Sequence, residues 1–297
     1  MNGGLDVAVV QAFPGSTVAW HCEFDKAPSA ILAHHYPNIP NLGDVTKVDW
    51  EQVEPVDIIT GGSPCQDLSS AGKRAGMTEG TRSNLWVNMR EAIAIIKPRL
   101  VVWENVQGAL SAEAYSSSDM EPGQGFLGGG DGHLRALGRV LGDLTALGYD
   151  ARWTTLRASD IGAPHHRARV FLIAYPADSG CFGLQAGYLL GRGNEQEVAV
   201  ANGSGQTFPG DGSIYGRYEP VVRRWEQVTG TIAPPPTDLN PKGEPQLNIE
   251  FASWMMGLPK GWITGVPGLS RAQQLKAIGN GVVPQQAAAA LLLLKGI

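Results

Sequence analysis

Val56-Asp57-Ile58-Ile59-Thr60-Gly61-Gly62-Ser63-Pro64-Cys65-Gln66 is an apolar run that stops at two glycines and then presents a thiol behind a proline. Further along, Leu100-Val101-Val102-Trp103 is a second apolar run, and it ends in Glu104-Asn105-Val106. Short continuous apolar runs read as strands buried on both faces, the pattern of a parallel sheet. Open α/β sheets hold their sites at the carboxyl ends of such strands. The two runs therefore predict a doubly wound, mostly parallel α/β sheet that brings a nucleophile, Cys65, beside an acid, Glu104.

The rest of the first half extends this pattern. Val18-Ala19-Trp20 is a strand candidate, with a helix expected from Lys26 to His34. Leu85, Met89, Ala92, Ile93 and Ile96 recur at helical spacing up to Pro98, and Leu134, Leu137, Leu141 and Leu144 form a second stripe that Gly148 stops. Strands are expected over 150–156 and 170–174. The stretch from Ser111 to Gly132, rich in Ser and Gly and without a period, reads as a surface insertion. After Tyr175-Pro176 the composition shifts to Gly, Pro and scattered Arg and aromatic residues, with Pro234-Pro235-Pro236 as a rigid linker. The apolar helix expected from Val283 to Leu294 cannot stand in water, so it returns to the first domain. The expected organisation is a discontinuous catalytic and cofactor-binding domain, 1–175 plus 268–297, with a smaller loop-rich recognition domain and hinge at 176–267.

Composition narrows the function classes. The net charge of −5 advertises no nucleic acid, yet phosphate contacts need only a local cationic cleft. Three widely spaced cysteines, Cys22, Cys65 and Cys181, fit neither a disulfide framework nor a zinc site, so no metal is expected. No apolar run approaches a membrane span. A soluble monomer in a reducing, cytoplasmic compartment is the expectation.

A lone cysteine is more often a small buried hydrophobe than a nucleophile, but here the neighbouring motifs accumulate. Pro64-Cys65-Gln66 and Glu104-Asn105-Val106 resemble the nucleophile and acid motifs of the C5-cytosine-specific DNA methyltransferases. In the same order, Glu23 and Phe24 in His21-Cys22-Glu23-Phe24-Asp25, Asp44 in Gly43-Asp44-Val45, Arg82-Ser83-Asn84-Leu85-Trp86, Arg167-Ala168-Arg169 and Ala277-Ile278-Gly279-Asn280-Gly281-Val282-Val283-Pro284 resemble further blocks of that family. Alone, each has an ordinary explanation: a solvated carboxylate, a helix cap, a strand-edge arginine pair, a turn. Together and in register they do not.

The resemblance implies S-adenosylmethionine as cofactor and double-stranded DNA as partner, in a bacterial or phage-infected cell. It also implies a restriction-modification setting, in which a cognate endonuclease would be no physical partner. Gly3, Gly4, Glu23, Phe24, Asp44 and Asn280 are then the cofactor-binding residues. The implied chemistry is addition of Cys65 to C6 of a flipped-out cytosine while Glu104 engages N3, with Arg169 at O2, Arg167 supporting the Cys65 loop, and Asn105 fixing the Pro64-Cys65 backbone. Gln66, Ser69 and Ser70 would enter the vacated stack, and Gly61, Gly62, Gly72 and Gly76 would let their loop move.

The family opens with a strand and a Phe-x-Gly-x-Gly-Gly turn, of which Met1-Asn2-Gly3-Gly4 retains the last two glycines. The expectation is that the true start lies upstream and that, as written, the chain binds its cofactor weakly. Three competing readings are a catalytically impaired DNA-binding homologue, a tRNA cytosine methyltransferase and a nucleotide-level hydroxymethylase. Cofactor-dependent activity separates the first. The nucleic acid that accepts the methyl group separates the second, and the third needs neither a flipping loop nor a recognition module.

Overall fold

The computed structural model describes residues 2–62, 85–110, 113–114, 134–179 and 214–296. Its centre is a four-stranded sheet in the order β1 (Ile58–Gly61), β2 (Leu100–Val106), β6 (Ala168–Pro176), β5 (Tyr149–Arg157). β1 runs parallel to β2, whereas β6 is antiparallel to both β2 and β5. The parallel part of the expected sheet is thus confined to β1 and β2. The antiparallel part follows from the short connection between β5 and β6, which turns back without a crossover helix.

Alternation along the two central strands explains why helices cover both faces. On β2 and β6, Val101, Trp103, Val170, Leu172 and Ala174 point into one core, with Trp86 and Ile93 of α3 (Trp86–Ile96) and Leu137, Val140 and Leu144 of α4 (Ala136–Ala146). Leu100, Val102, Phe171 and Ile173 point into the other, with Leu5 and Val9 of α1 (Gly4–Ala12) and Ala287, Leu291 and Leu294 of α8 (Pro284–Lys295). A period of two on strands sandwiched between helical stripes is the doubly wound arrangement. Each large buried side chain here contributes about 1.5–3 kcal/mol of burial. The layers are also pinned by polar bonds: Trp86 Nε1 donates to Asp143 at 2.7 Å and Tyr149 Oη to the Pro98 carbonyl at 2.7 Å.

Helix α2 (Lys26–His35) and helices α3, α4 and α8 lie close to their expected spans. Leu134 falls instead in β4 (Leu134–Arg135), which pairs with β3 (Glu113–Ala114), and the rest of the expected insertion lies outside the described residues. One expectation needs correction. Val18-Ala19-Trp20 is not a strand, because 17–22 makes a single parallel bridge, His21 with Asn41, and no ladder among the described residues. Glu104 and Asn105 fall, as expected, at the carboxyl end of the second strand, paired opposite Phe171 and Val170.

The second half carries more regular structure than its composition suggests. Helix α5 (Glu219–Thr229), a hairpin of β7 (Thr237–Leu239) and β8 (Pro245–Leu247), and α6 (Ile249–Met255) lead to α7 (Arg271–Asn280). A third core joins Val222, Trp225, Trp254 and Ile263 to Ile31, Ala158 and Ala163 from the sheet domain, and to Ala277 and Ile278 of α7. The two halves therefore share a packed seam.

Candidate active site and cofactor cavity

Glu104 faces the same side of the sheet as Phe171, its cross-strand partner, and Arg169 lies two residues from Phe171 on that side. This diagonal brings Arg169 Nε to 2.9 Å from Glu104 Oε1, with both side chains nearly buried at 12% and 11% exposure. Burial pushes the Glu104 carboxyl above its ordinary range, and the charges of Arg169 and then Arg167 pull it back only in part. An acid held toward its neutral form, beside a fixed guanidinium, can donate a proton or a hydrogen bond to a ring nitrogen.

Asn105, almost fully buried, points to the other face, and its Oδ1 accepts from the Val106 amide at 2.8 Å. Gly62, at the end of β1, sits directly on Glu104, so the chain that continues toward Cys65 leaves β1 against the acid. Gly61 abuts Met89: a Cβ there would stand 2.6 Å from its sulfur. Gly62 is therefore required by its close approach to backbone, whereas at Gly61 the flexible Met89 side chain could give way. Pro64, Cys65, Gln66, Ser69, Ser70, Gly72 and Gly76 lie outside the described residues.

From Glu104 a cavity of about 1200 Å³ extends along β1 to the amino end of α1, reaching Asn2, Glu23, Phe24, Asp44, Arg167, Arg169 and Asn280. Gly3 begins α1 with φ +83°, a value that disfavours other residues, and a Cβ on Gly4 would stand 2.5 Å from the Val282 carbonyl oxygen. The glycine pair thus lets the amino terminus pass against the turn that carries Asn280.

Glu23, in the wall of the same cavity, is held by a residue that the motif reading missed. Asn41 Oδ1 accepts from the Glu23 amide at 2.9 Å, and its Nδ2 donates to the Glu23 carbonyl at 3.0 Å. The Glu23 carboxylate accepts from the Asp25 amide at 2.9 Å. Asp44 accepts from the Thr46 amide at 3.1 Å and hydroxyl at 2.8 Å, bonds that hold its carboxyl below the usual range. Phe24 is 75% exposed at the cavity rim, an apolar surface offered to a planar ligand.

Cys22 also lines this cavity, but burial and the charges of Glu23 and Asp44 push its thiol up to about 11, leaving it inert as a nucleophile. Among the described contacts the Arg167 guanidinium donates to the carbonyls of Gly279 and Gly281, and the Cys65 loop that it is expected to support lies outside the described residues. Nothing in the sequence around Arg167 indicated those carbonyl partners.

The family described as C-5 cytosine-specific DNA methylase matches residues 2–189, well over half of the chain. The chain belongs to that family. Among curated proteins it is similar to the type II methyltransferases M.NgoBV of Neisseria gonorrhoeae and M.NlaIV of Neisseria lactamica. It is 32% and 34% identical to them over 173 residues, 57% of this chain. The alignments span 38% of each relative, so this methylase-family chain matches well under half the length of those proteins. Among solved structures it resembles the Dnmt2 methyltransferase of S. pombe, with a TM-score of 0.57 at 13% identity. That match covers 99% of this chain and 95% of the other, a likeness of fold.

Proposed function

We propose that this chain is an S-adenosylmethionine-dependent DNA (cytosine-5-)-methyltransferase acting within a specific duplex sequence. The observation that carries the reading is the buried Glu104–Arg169 pair, which lines the same cavity as Glu23 and Asp44. The cavity fits the cofactor in kind: these lining carboxylates suit ribose hydroxyls and an adenine amino group. Two buried polar atoms in its wall, Asn2 Oδ1 and His21 Nε2, have no hydrogen-bond partner among the described residues. When bound, the cofactor supplies an electrophilic methyl group.

The chain's own residues supply the rest. Cytosine C5 is too weak a nucleophile until the ring gains electrons. The Cys65 thiolate forms a bond to C6, and Glu104 donates to N3, taking up the charge that this addition pushes into the ring. Arg169, fixed by Glu104, offers its remaining donors to O2. Once C5 carries the methyl group, loss of its proton to a base returns an electron pair to the ring, and the C6–S bond breaks to release Cys65. Each turnover needs the base outside the stack, where Gln66, Ser69 and Ser70 of the loop would replace it.

The recognition domain and hinge are placed at 176–267, with 1–175 and 268–297 as the catalytic part. An exposed Arg217, stacked 4.9 Å over Tyr218, and the exposed β7–β8 hairpin suit groove contacts. Bisulfite sequencing of DNA from cells expressing the chain tests the reading: methylated cytosines within one sequence are expected. Methyl transfer to RNA alone, or to neither nucleic acid, would overturn it.

A further inference from the structure

The carboxyl end of α7 is bound from two sides. On one, Arg167 Nη1 donates to the Gly279 carbonyl at 2.9 Å and Nη2 to the Gly281 carbonyl at 2.7 Å. On the other, Asn2 Nδ2 donates to the Ala277 carbonyl at 3.2 Å and lies so near Gly281 that a Cβ there would meet it at 2.6 Å. The last carbonyls of a helix lack intrahelical donors and carry the negative end of its dipole, so a guanidinium that reaches two of them satisfies both needs. Asn280 sits between the two carbonyls that Arg167 holds, and Asn280, Asn2 and Arg167 all line the cavity.

Arg167 is itself held firmly. Its carbonyl accepts from the Ala158 amide at 2.9 Å and from Nε2 of the buried Gln286 at 2.8 Å, which also donates to the Leu156 carbonyl at 2.7 Å. The chain entering β6, α8 and the turn after α7 therefore form one bonded unit, in which the Arg167 side chain spans from just before β6 to the turn. Two residues away, on the same side of the chain, Arg169 serves the acid.

We propose that Arg167 is a positioning residue for the cofactor: through the carbonyls of Gly279 and Gly281 it sets the cavity wall that carries Asn280. This rests on the reading of the cavity as an S-adenosylmethionine site. Fork geometry is essential to the role, since an ammonium on a flexible stem cannot match two divergent carbonyls in the same way.

Calorimetric titration of the whole chain with S-adenosylhomocysteine, beside duplex binding measured without cofactor, tests the assignment. Arg167→Met should weaken S-adenosylhomocysteine binding at least tenfold, about 1.4 kcal/mol, with duplex binding within threefold of wild type. Arg167→Lys keeps the charge and stem, covers the case in which the Met variant does not fold, and should weaken binding three- to tenfold. Wild-type affinity in Arg167→Lys, or a parallel loss of duplex binding, would overturn the assignment. Failure of the wild type itself to bind would instead remove the cofactor reading, and the assignment with it.

Discussion

A Cβ on Gly62 would stand 2.7 Å from the carbonyl oxygen of Glu104 and 3.3 Å from its carboxylate. The strand that leads to Cys65 is thus seated on the strand that carries the acid, and only hydrogen fits between them. Gly62→Ala must shift backbone, pushing Gly62 and β2 apart, and crowds the Glu104 carboxylate as well. Overpacking of this kind costs about 1–3 kcal/mol. Urea unfolding should show that loss, together with a fall in turnover, and a variant of unchanged stability would mean that the contact relaxes freely.

Glu104→Gln keeps a donor for N3 but removes the transferable proton. Turnover should fall by roughly 10²–10⁴-fold, with duplex binding within a few fold of wild type. Binding that falls as far as turnover would assign Glu104 to the fold, because breaking a buried pair with Arg169 can cost about 3–5 kcal/mol on its own.

The same carboxyl makes stability depend on pH. Burial raises it above its ordinary 4.5, so between that value and the raised one the native state holds a proton that the unfolded chain has lost. Its contribution is complete below the ordinary value and disappears as pH rises through the raised one. Wild type should lose stability relative to Glu104→Gln across that window, by up to about 1.4 kcal/mol per pH unit, and the difference should be level above it. Parallel unfolding curves from pH 4 to 9 would exclude a raised carboxyl.

A duplex with 5-fluorocytosine at the target should trap a covalent complex through Cys65, because fluorine at C5 cannot leave as a proton does. Cys65→Ser should abolish the complex. Attachment at Cys22 is not expected, since its thiol is pushed up to about 11 and donates to the Gly43 carbonyl at 3.3 Å. A peptide map placing the adduct on Cys22 or Cys181 would reject Cys65 as the nucleophile.

What was legible in the sequence was what local pattern encodes. The runs at Val56 and Leu100 declare strands because both faces of each strand meet apolar helices, and Glu104-Asn105-Val106 forms the carboxyl end of the second. Val18-Ala19-Trp20 has the composition of a strand, but a strand also needs a neighbour, and Trp20 turns instead to Trp50 and the Glu54 carbonyl. Helix α5 escaped notice because only Val222 and Trp225 are buried on it. Its other signals were Pro220 near the start, Glu219 paired with Arg223 and a closing Gly230. Asn41 and the contacts of Arg167 with Gly279 and Gly281 were invisible for a different reason: they are made across 18 and more than 100 residues of chain.

β1 has a partner on one side only among the described residues. A bare strand edge ordinarily recruits the edge of another molecule and so seeds aggregation. Here the bare edge is four residues long and forms part of a cavity wall, with α1 and the segment at 18–22 lining the same cavity. An edge that would otherwise invite another strand is here spent on the wall of a cavity of ligand size.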